Sequence, residues 1–302
     1  MDNYLELKIS IHPQIEDVVS CICFERLNCE GVILAEEAYK DLEMISTTEG
    51  TLKVFLTEDS VKDIIEIKNI LEEERQFLIN QGLSEEELGS WDITFEEKPN
   101  EDWSKKWKEN WDVTHISDRV VIVPSWLEYH PKETEIVVSL DPGHAFGTGT
   151  HQTTQLCVVG MEQYMDNVVH KDVADIGMGS GILSIIAKKM GANYVYGCDI
   201  DPDVIDVAIE NAKKNDIICD FEENTADKIS KQYDFVCANI LHNVLYEIMP
   251  DLKRILKQDG KMVLSGILDE KKDIVLEAIQ NNNLNILKTN YQDQWVSFVV
   301  EK

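Results

Sequence analysis

Three stretches of the chain hold residue types whose spacing suits chemistry. In "DIGMGSGI" an apolar run ends in Asp175, and Gly177, Gly179 and Gly181 follow at every second position. In "GCDIDPDVI" a second apolar run ends in Asp199, 22 residues after Gly177. In "FGTGTHQTT", Phe146–Thr154, two glycines, four threonines and a histidine follow Asp141-Pro142-Gly143.

Glycines at the carboxyl end of a buried strand let a ligand approach the backbone, and the following helix offers free N–H groups. The spacing narrows the ligand. A dinucleotide fold wants G-x-G-x-x-G, whereas this chain has G-x-G-x-G, with Ile182 where the third glycine would stand. Asp199 lies at the distance where an acidic side chain meets ribose hydroxyls. Asp201, before Pro202, is better placed than Asp199 to cap the next helix. "FGTGTHQTT" suits a loop that closes on something small and polar. No Gly-Lys-Ser/Thr follows it, so the cation of a phosphate-binding loop is missing. The ligand so described is a nucleoside with a free ribose and no partner for a pyrophosphate. S-adenosylmethionine, with adenine, ribose and a zwitterionic amino acid, fits.

These residues need strands and helices to hold them. From about residue 136, "VADIG", "YVYGCDI", "FVCANI" and "KMVLSGI" are short, apolar and β-rich, with helical patterns at 182–190, 204–214 and 244–256. Strand–helix alternation predicts a parallel sheet covered on both faces. "LNILKTN" and "WVSFVV" have no helical stretch between them, which predicts antiparallel final strands. Residues 98–135 read as a connector: Trp103, Trp107 and Trp111 stand four apart on one helical stripe, and "RVVIVPSW" is a strand stopped by Pro124. Residues 1–97 alternate between the two periods. "YLELKISI" is a strand, 15–28 a helix, Val32–Leu34 and Leu52–Leu56 strands, 60–80 a helix, and "WDITFEE" a last strand. That β-α-β-β-α-β order is the ferredoxin-like plan.

The totals set bounds. A length of 302 residues suits two domains. A formal net charge of −29 argues against a broad DNA or RNA surface. Residues 1–100 hold 8 Lys/Arg against 24 Asp/Glu, so more than half the excess sits in the first third. Solubility alone accounts for such acidity, and so does a basic macromolecular partner. No run of about 18 apolar residues is present. "MDNYLELKIS" lacks the plan of a signal peptide, and the seven cysteines form no C-x-x-C pair. Both predict a cytoplasmic protein with reduced thiols and no metal site.

"DPGHAFGTGTHQTT", "DIGMGSGI", "GCDIDPDVI" and "ANIL" stand in the order found in PrmA-type ribosomal protein methyltransferases, and the chain resembles that family. The four motifs span Asp141 to Leu241, and "EDWSKKWKENW…VPSW" resembles the family's connector. The resemblance implies a Rossmann-like class I methyltransferase domain over 136–302, joined by the connector to a smaller ferredoxin-like α+β substrate-recognition domain. It implies S-adenosylmethionine as cofactor and a basic ribosomal protein, large-subunit protein L11, as substrate, with no direct nucleic-acid binding, no membrane and a monomer. Thr154 corresponds to the family's cofactor-contacting threonine, Gly177 to the glycine beside the methionine part, Asp199 to the ribose ligand and Asn239 to the asparagine after the fourth strand. Gly179 completes the glycine loop, and Phe146 would wall the pocket. Asn239, through its side-chain oxygen, and the backbone carbonyl of Ile240 are the candidates for orienting the acceptor amine. His144 and His242 depart from the family pattern. His242 reads as a polar residue in a helix's first turn or as a base, and His151 as a loop hydrogen-bonder. Three other readings stand beside this one: a methyltransferase of another protein, an NAD-dependent oxidoreductase sharing the sheet plan, and a non-catalytic binding module.

Overall fold

The computed structural model describes residues 4–29, 31–34, 50–56, 60, 63–98, 112–141, 151–165 and 171–302. They divide into two compact units: the described residues up to 112, and residues 113–141 with 151–302.

The first unit runs β1 (Tyr4–Ile11), α1 (Glu16–Leu27), β2 (Gly31–Leu34), β3 (Gly50–Leu56), α2 (Ile64–Asn80), α3 (Glu85–Leu88) and β4 (Ile93–Lys98). Its sheet has the order β2-β3-β1-β4, antiparallel throughout, which is the ferredoxin-like arrangement. The alternation in β1 sends Leu7, Ile9 and Ile11 into the core beside Val19, Leu27 and Leu71. Helix α2 starts at Ile64, later than residue 60, because the Asp63 carboxylate accepts the N–H groups of Ile65 and Glu66 at 2.8 and 3.1 Å. Its buried stripe is Ile67, Leu71 and Leu78, one face at helical spacing. Ile64, Ile65 and Phe77, also apolar and on this helix, are exposed. The tryptophans 103, 107 and 111 lie outside the described residues.

The second unit opens with a small sheet of β5 (Thr114–His115), β6 (Val120–Val123) and β7 (Ile136–Ser139), in that order. Then come α4 (Gln152–Tyr164), β8 (Asp172–Ile176), α5 (Ile182–Lys189), β9 (Tyr194–Asp199), α6 (Asp203–Lys214), β10 (Asp220–Glu223), β11 (Tyr233–Asn239), α7 (His242–Ile255), β12 (Leu256–Leu268), α8 (Lys272–Asn281), β13 (Asn285–Gln292) and β14 (Trp295–Glu301). Seven strands form one sheet in the order β10-β9-β8-β11-β12-β14-β13. The first five are parallel, and β14 runs antiparallel to both neighbours. This is the Rossmann-like class I methyltransferase sheet with its terminal hairpin. The antiparallel ending agrees with the sequence pattern, whereas α8 fell where no helix was read.

Strands buried on both faces need cover on both. Val173, Cys237, Val263 and Val299 pack with residues of α4 and α5 on one face. Ala174, Val236, Leu264 and Phe298 pack with residues of α7 and α8 on the other. Strand order reverses at β8: β9 and β10 lie to one side, β11 and β12 to the other. Ligands of open α/β sheets bind outside the carboxyl ends of the strands at such a switch point.

Candidate functional site

Strand β8 delivers Asp175 and then Gly177 to that switch point. The parallel register sets Ile176 beside Cys198 on β9 and Ala238 on β11, so Gly177 emerges between Asp199 and Asn239. The chain then turns sharply. The N–H groups of Gly177 and Met178 both donate to the Cys198 carbonyl, at 2.9 and 3.1 Å. Gly177 has φ +71°, and a Cβ there would lie 2.3 Å from Ile240 Cγ2. A side chain is excluded twice, by backbone conformation and by Ile240, and the bare backbone leaves a cradle. Helix α5 starts on Gly181, with φ +77°.

Asp199 holds this loop. Its Oδ2 accepts from the N–H of Gly179 at 2.9 Å and its Oδ1 from the N–H of Asp201 at 3.2 Å. Asp201 in turn caps α6, accepting from the N–H of Asp203 at 2.9 Å. Asp201 thus engages the start of α6, while Asp199 accepts the backbone donors that shape the glycine loop. Each carboxylate oxygen keeps a lone pair beyond the one engaged.

Opposite, β11 ends in Asn239. Its Nδ2 donates to Thr154 Oγ1 at 3.4 Å, and its Oδ1 is buried with no partner among the described residues. Thr154 is fully buried in the first turn of α4, where His151 is the cap: the His151 ring accepts the N–H of Thr153 at 3.3 Å. The ring also stands edge-on to Trp295, centroids 5.0 Å apart. His151 is thus a hydrogen-bonder that starts α4. The Ile240 peptide is held from β12. Its N–H donates to the Ser265 carbonyl at 3.2 Å, and Gly266, with φ +82°, comes so close that a Cβ would lie 2.4 Å from the Ile240 oxygen. Ser265 Oγ donates to the Thr153 carbonyl at 2.9 Å, joining β12 to α4. His242 is the buried first residue of α7. Phe146 and His144 lie outside the described residues.

The structure thus brings Gly177, Gly179, Asp199, Thr154, Asn239 and Ile240 to one end of one sheet. Ser265 and Gly266 escaped sequence reasoning; the only hint was a glycine at the end of an otherwise apolar strand. Asp175 also escaped it, as a group with a role of its own. It is 1% exposed, and its Oδ2 accepts from the N–H and hydroxyl of Ser184 at 3.0 and 2.8 Å. Its Oδ1 is buried without a partner among the described residues. Burial, opposed by the Ser184 hydrogen bonds and reinforced by nearby Asp199, pushes its carboxyl up to about 7. An open glycine cradle, a spare acidic acceptor and two orphaned buried oxygens fit a polar ligand that carries hydroxyl and ammonium donors, as S-adenosylmethionine does.

Comparison with known proteins agrees. A family model described as Ribosomal protein L11 methyltransferase (PrmA) matches residues 3–302. A ribosomal protein L11 methyltransferase of Dictyoglomus thermophilum is 33% identical over 305 residues, covering 98% of both chains. One from Alkaliphilus oremlandii is 37% identical over 267 residues, covering 86% of this chain and 82% of its own. The crystal structure of ribosomal protein L11 methylase from Lactobacillus delbrueckii subsp. bulgaricus is 34% identical with a TM-score of 0.60, covering 63% of this chain and 98% of that one.

Proposed function

The chain belongs to the ribosomal protein L11 methyltransferase (PrmA) family, and from that premise we propose that it moves methyl groups from S-adenosylmethionine to amino groups of ribosomal protein L11. The acceptors are lysine side chains, and the N-terminal amine is a further candidate. At the site, the reading rests on the buried Asn239 Oδ1, an acceptor aligned by Thr154 and left without a donor.

S-adenosylmethionine supplies an electrophilic methyl group on a sulfonium that leaves neutral, so no acid is needed. The protein must present an uncharged amine about 3–3.5 Å from that carbon, in line. A lysine in water is protonated, with a pKa of about 10.4, and removal from water favours the neutral form. Asn239 Oδ1 and the Ile240 carbonyl accept the amine's N–H bonds and aim its lone pair. Thr154 orients the Asn239 amide, and Ser265 and Gly266 position the Ile240 peptide. Asp199 accepts the ribose hydroxyls on its spare lone pairs. Gly177 and Gly179 expose backbone to the methionine part. His242, the first residue of α7, is assigned no step in the transfer.

Residues 1–97 serve as the recognition domain, the connector read over 98–135 contributes β5 and β6 to the second unit, and the protein acts as a cytoplasmic monomer. Support comes from the separate ferredoxin-like core and the acidity of residues 1–100. Among the described residues, no helix is long and apolar enough to cross a membrane. Incubation with methyl-labelled S-adenosylmethionine and total ribosomal proteins tests the reading: label should appear on L11 amines. Label on a different protein, with L11 bare, would reassign the target.

A further inference from the structure

Asp175 is a buried ionisable group that methyl transfer as described does not use. It stands on the sheet face that also carries Asn239, two residues before Gly177 and directly across from Cys237 and Gly197. One oxygen takes both donors of Ser184; the other has none among the described residues. The titratable groups facing it are few. Cys157 comes from α4, Cys198 and Asp199 from β9, Cys237 from β11 and Cys219 from the segment before β10. Burial raises all four thiols far above neutral, to about 12 for Cys198 and Cys219, so they stay uncharged at physiological pH. What remains is two carboxylates, Asp175 and Asp199, with no cation paired to the buried one among the described residues.

A buried carboxylate without a cation is costly to ionise, and a second one nearby raises the cost. Cofactor loading changes that balance, because a sulfonium and an ammonium arrive at the glycine cradle immediately beyond Asp175. We propose that Asp175 is the charge-balancing residue of the cofactor site: it carries a proton on its unpartnered oxygen in the empty protein and releases that proton to solvent as S-adenosylmethionine binds. The inference rests on the cofactor reading above. The O–H bond of the carboxylic acid breaks, the proton goes to buffer, and the carboxylate left behind faces the incoming positive charge. Loading and proton release are then one event. A group that sheds its proton on binding makes affinity rise with pH over the range where the empty form is protonated. With the empty carboxyl near 7, affinity should fall by roughly tenfold from pH 8 to pH 6.

The test is calorimetric titration of the full-length protein with S-adenosylmethionine at pH 7, in buffers of different ionisation enthalpy. The wild type should release about half a proton per cofactor bound. Asp175→Asn should bind and release markedly less. S-adenosylhomocysteine, which lacks the sulfonium charge, should release less than S-adenosylmethionine from the wild type. If Asp175→Asn does not fold, infrared difference spectra of the wild type still decide, because a protonated aspartic carboxyl band should vanish on loading. Equal proton release by wild type and Asp175→Asn, or no loss of a protonated carboxyl band, overturns the proposal. Absence of any binding heat from either cofactor would overturn the cofactor reading itself.

Discussion

At the scale of single residues, the site is built from exclusions and leftovers. Gly177 must lack a side chain, because its φ is +71° and Ile240 occupies the space a Cβ would take. Gly177→Ala should therefore cost about 1–3 kcal/mol in denaturant stability and weaken cofactor binding, since the left-handed backbone and the displaced Ile240 both resist it. An unchanged midpoint and dissociation constant would show that the loop relaxes freely. Asn239→Ala removes an orphaned acceptor and should lower kcat more than it weakens cofactor binding; single-turnover kinetics beside calorimetry separate the two. His242→Ala should be mild, and the reverse pattern would exchange the roles. Asp175 gives a pH prediction for the empty protein. Its carboxyl is raised by burial, so the stability it contributes is fully present below about pH 4 and is lost as pH rises through about 7. Asp175→Asn should match the wild type near pH 4 and exceed it at pH 8, by a difference on the order of a few kcal/mol in urea melts. A gap that is constant with pH would sink the assignment.

At the scale of elements, the sheet sorts the site residues by which strand ends where. Gly177 and Asp199 were legible in the sequence because each stands at the end of a short apolar run, and a parallel sheet brings such ends together; Asn239 was named only through the family resemblance. Helix α4 gives only a weak signal in the sequence, since its first turn is polar and its capping residue is a histidine. What fixes α4 is tertiary. Gly160 lets it lie so close to the sheet that a Cβ there would sit 2.9 Å from Val263 Cγ2 and 3.1 Å from Val299 Cγ2. No single-sequence pattern announces that contact, nor the grip of Ser265 and Gly266 on α4 and Ile240, because both depend on β12 and β14 arriving from far along the chain. Gly160→Leu should push α4 off the sheet, costing about 1–3 kcal/mol from overpacking. Thr154 rides on that helix and holds Asn239, so turnover should fall as well. A stable variant with full activity would show that α4 does not position Asn239.

At the scale of the molecule, each unit has its own hydrophobic core: Leu7, Val54 and Leu71 belong to one, Val236, Leu264 and Phe298 to another. A unit with a core of its own can fold alone. The proposed cofactor contacts all lie beyond residue 141, so a chain lacking residues 1–97 should keep most of its affinity for S-adenosylmethionine. It should methylate intact ribosomal protein L11 far more slowly. The reason is electrostatic as well as geometric. Residues 1–100 carry three times as many acidic as basic side chains, and a basic substrate is drawn to such a surface over about one Debye length, roughly 8 Å at physiological ionic strength. Steering of this kind acts on the association rate and fades with salt, whereas a site that holds its ligand through buried hydrogen bonds responds little. For the full chain, kcat/KM toward L11 should therefore drop between 50 and 500 mM salt while the cofactor dissociation constant stays nearly constant. For the shortened chain the salt dependence should be lost along with the rate. If the shortened chain methylates L11 as fast as the full one, recognition does not reside in the first unit, and its acidity serves solubility alone.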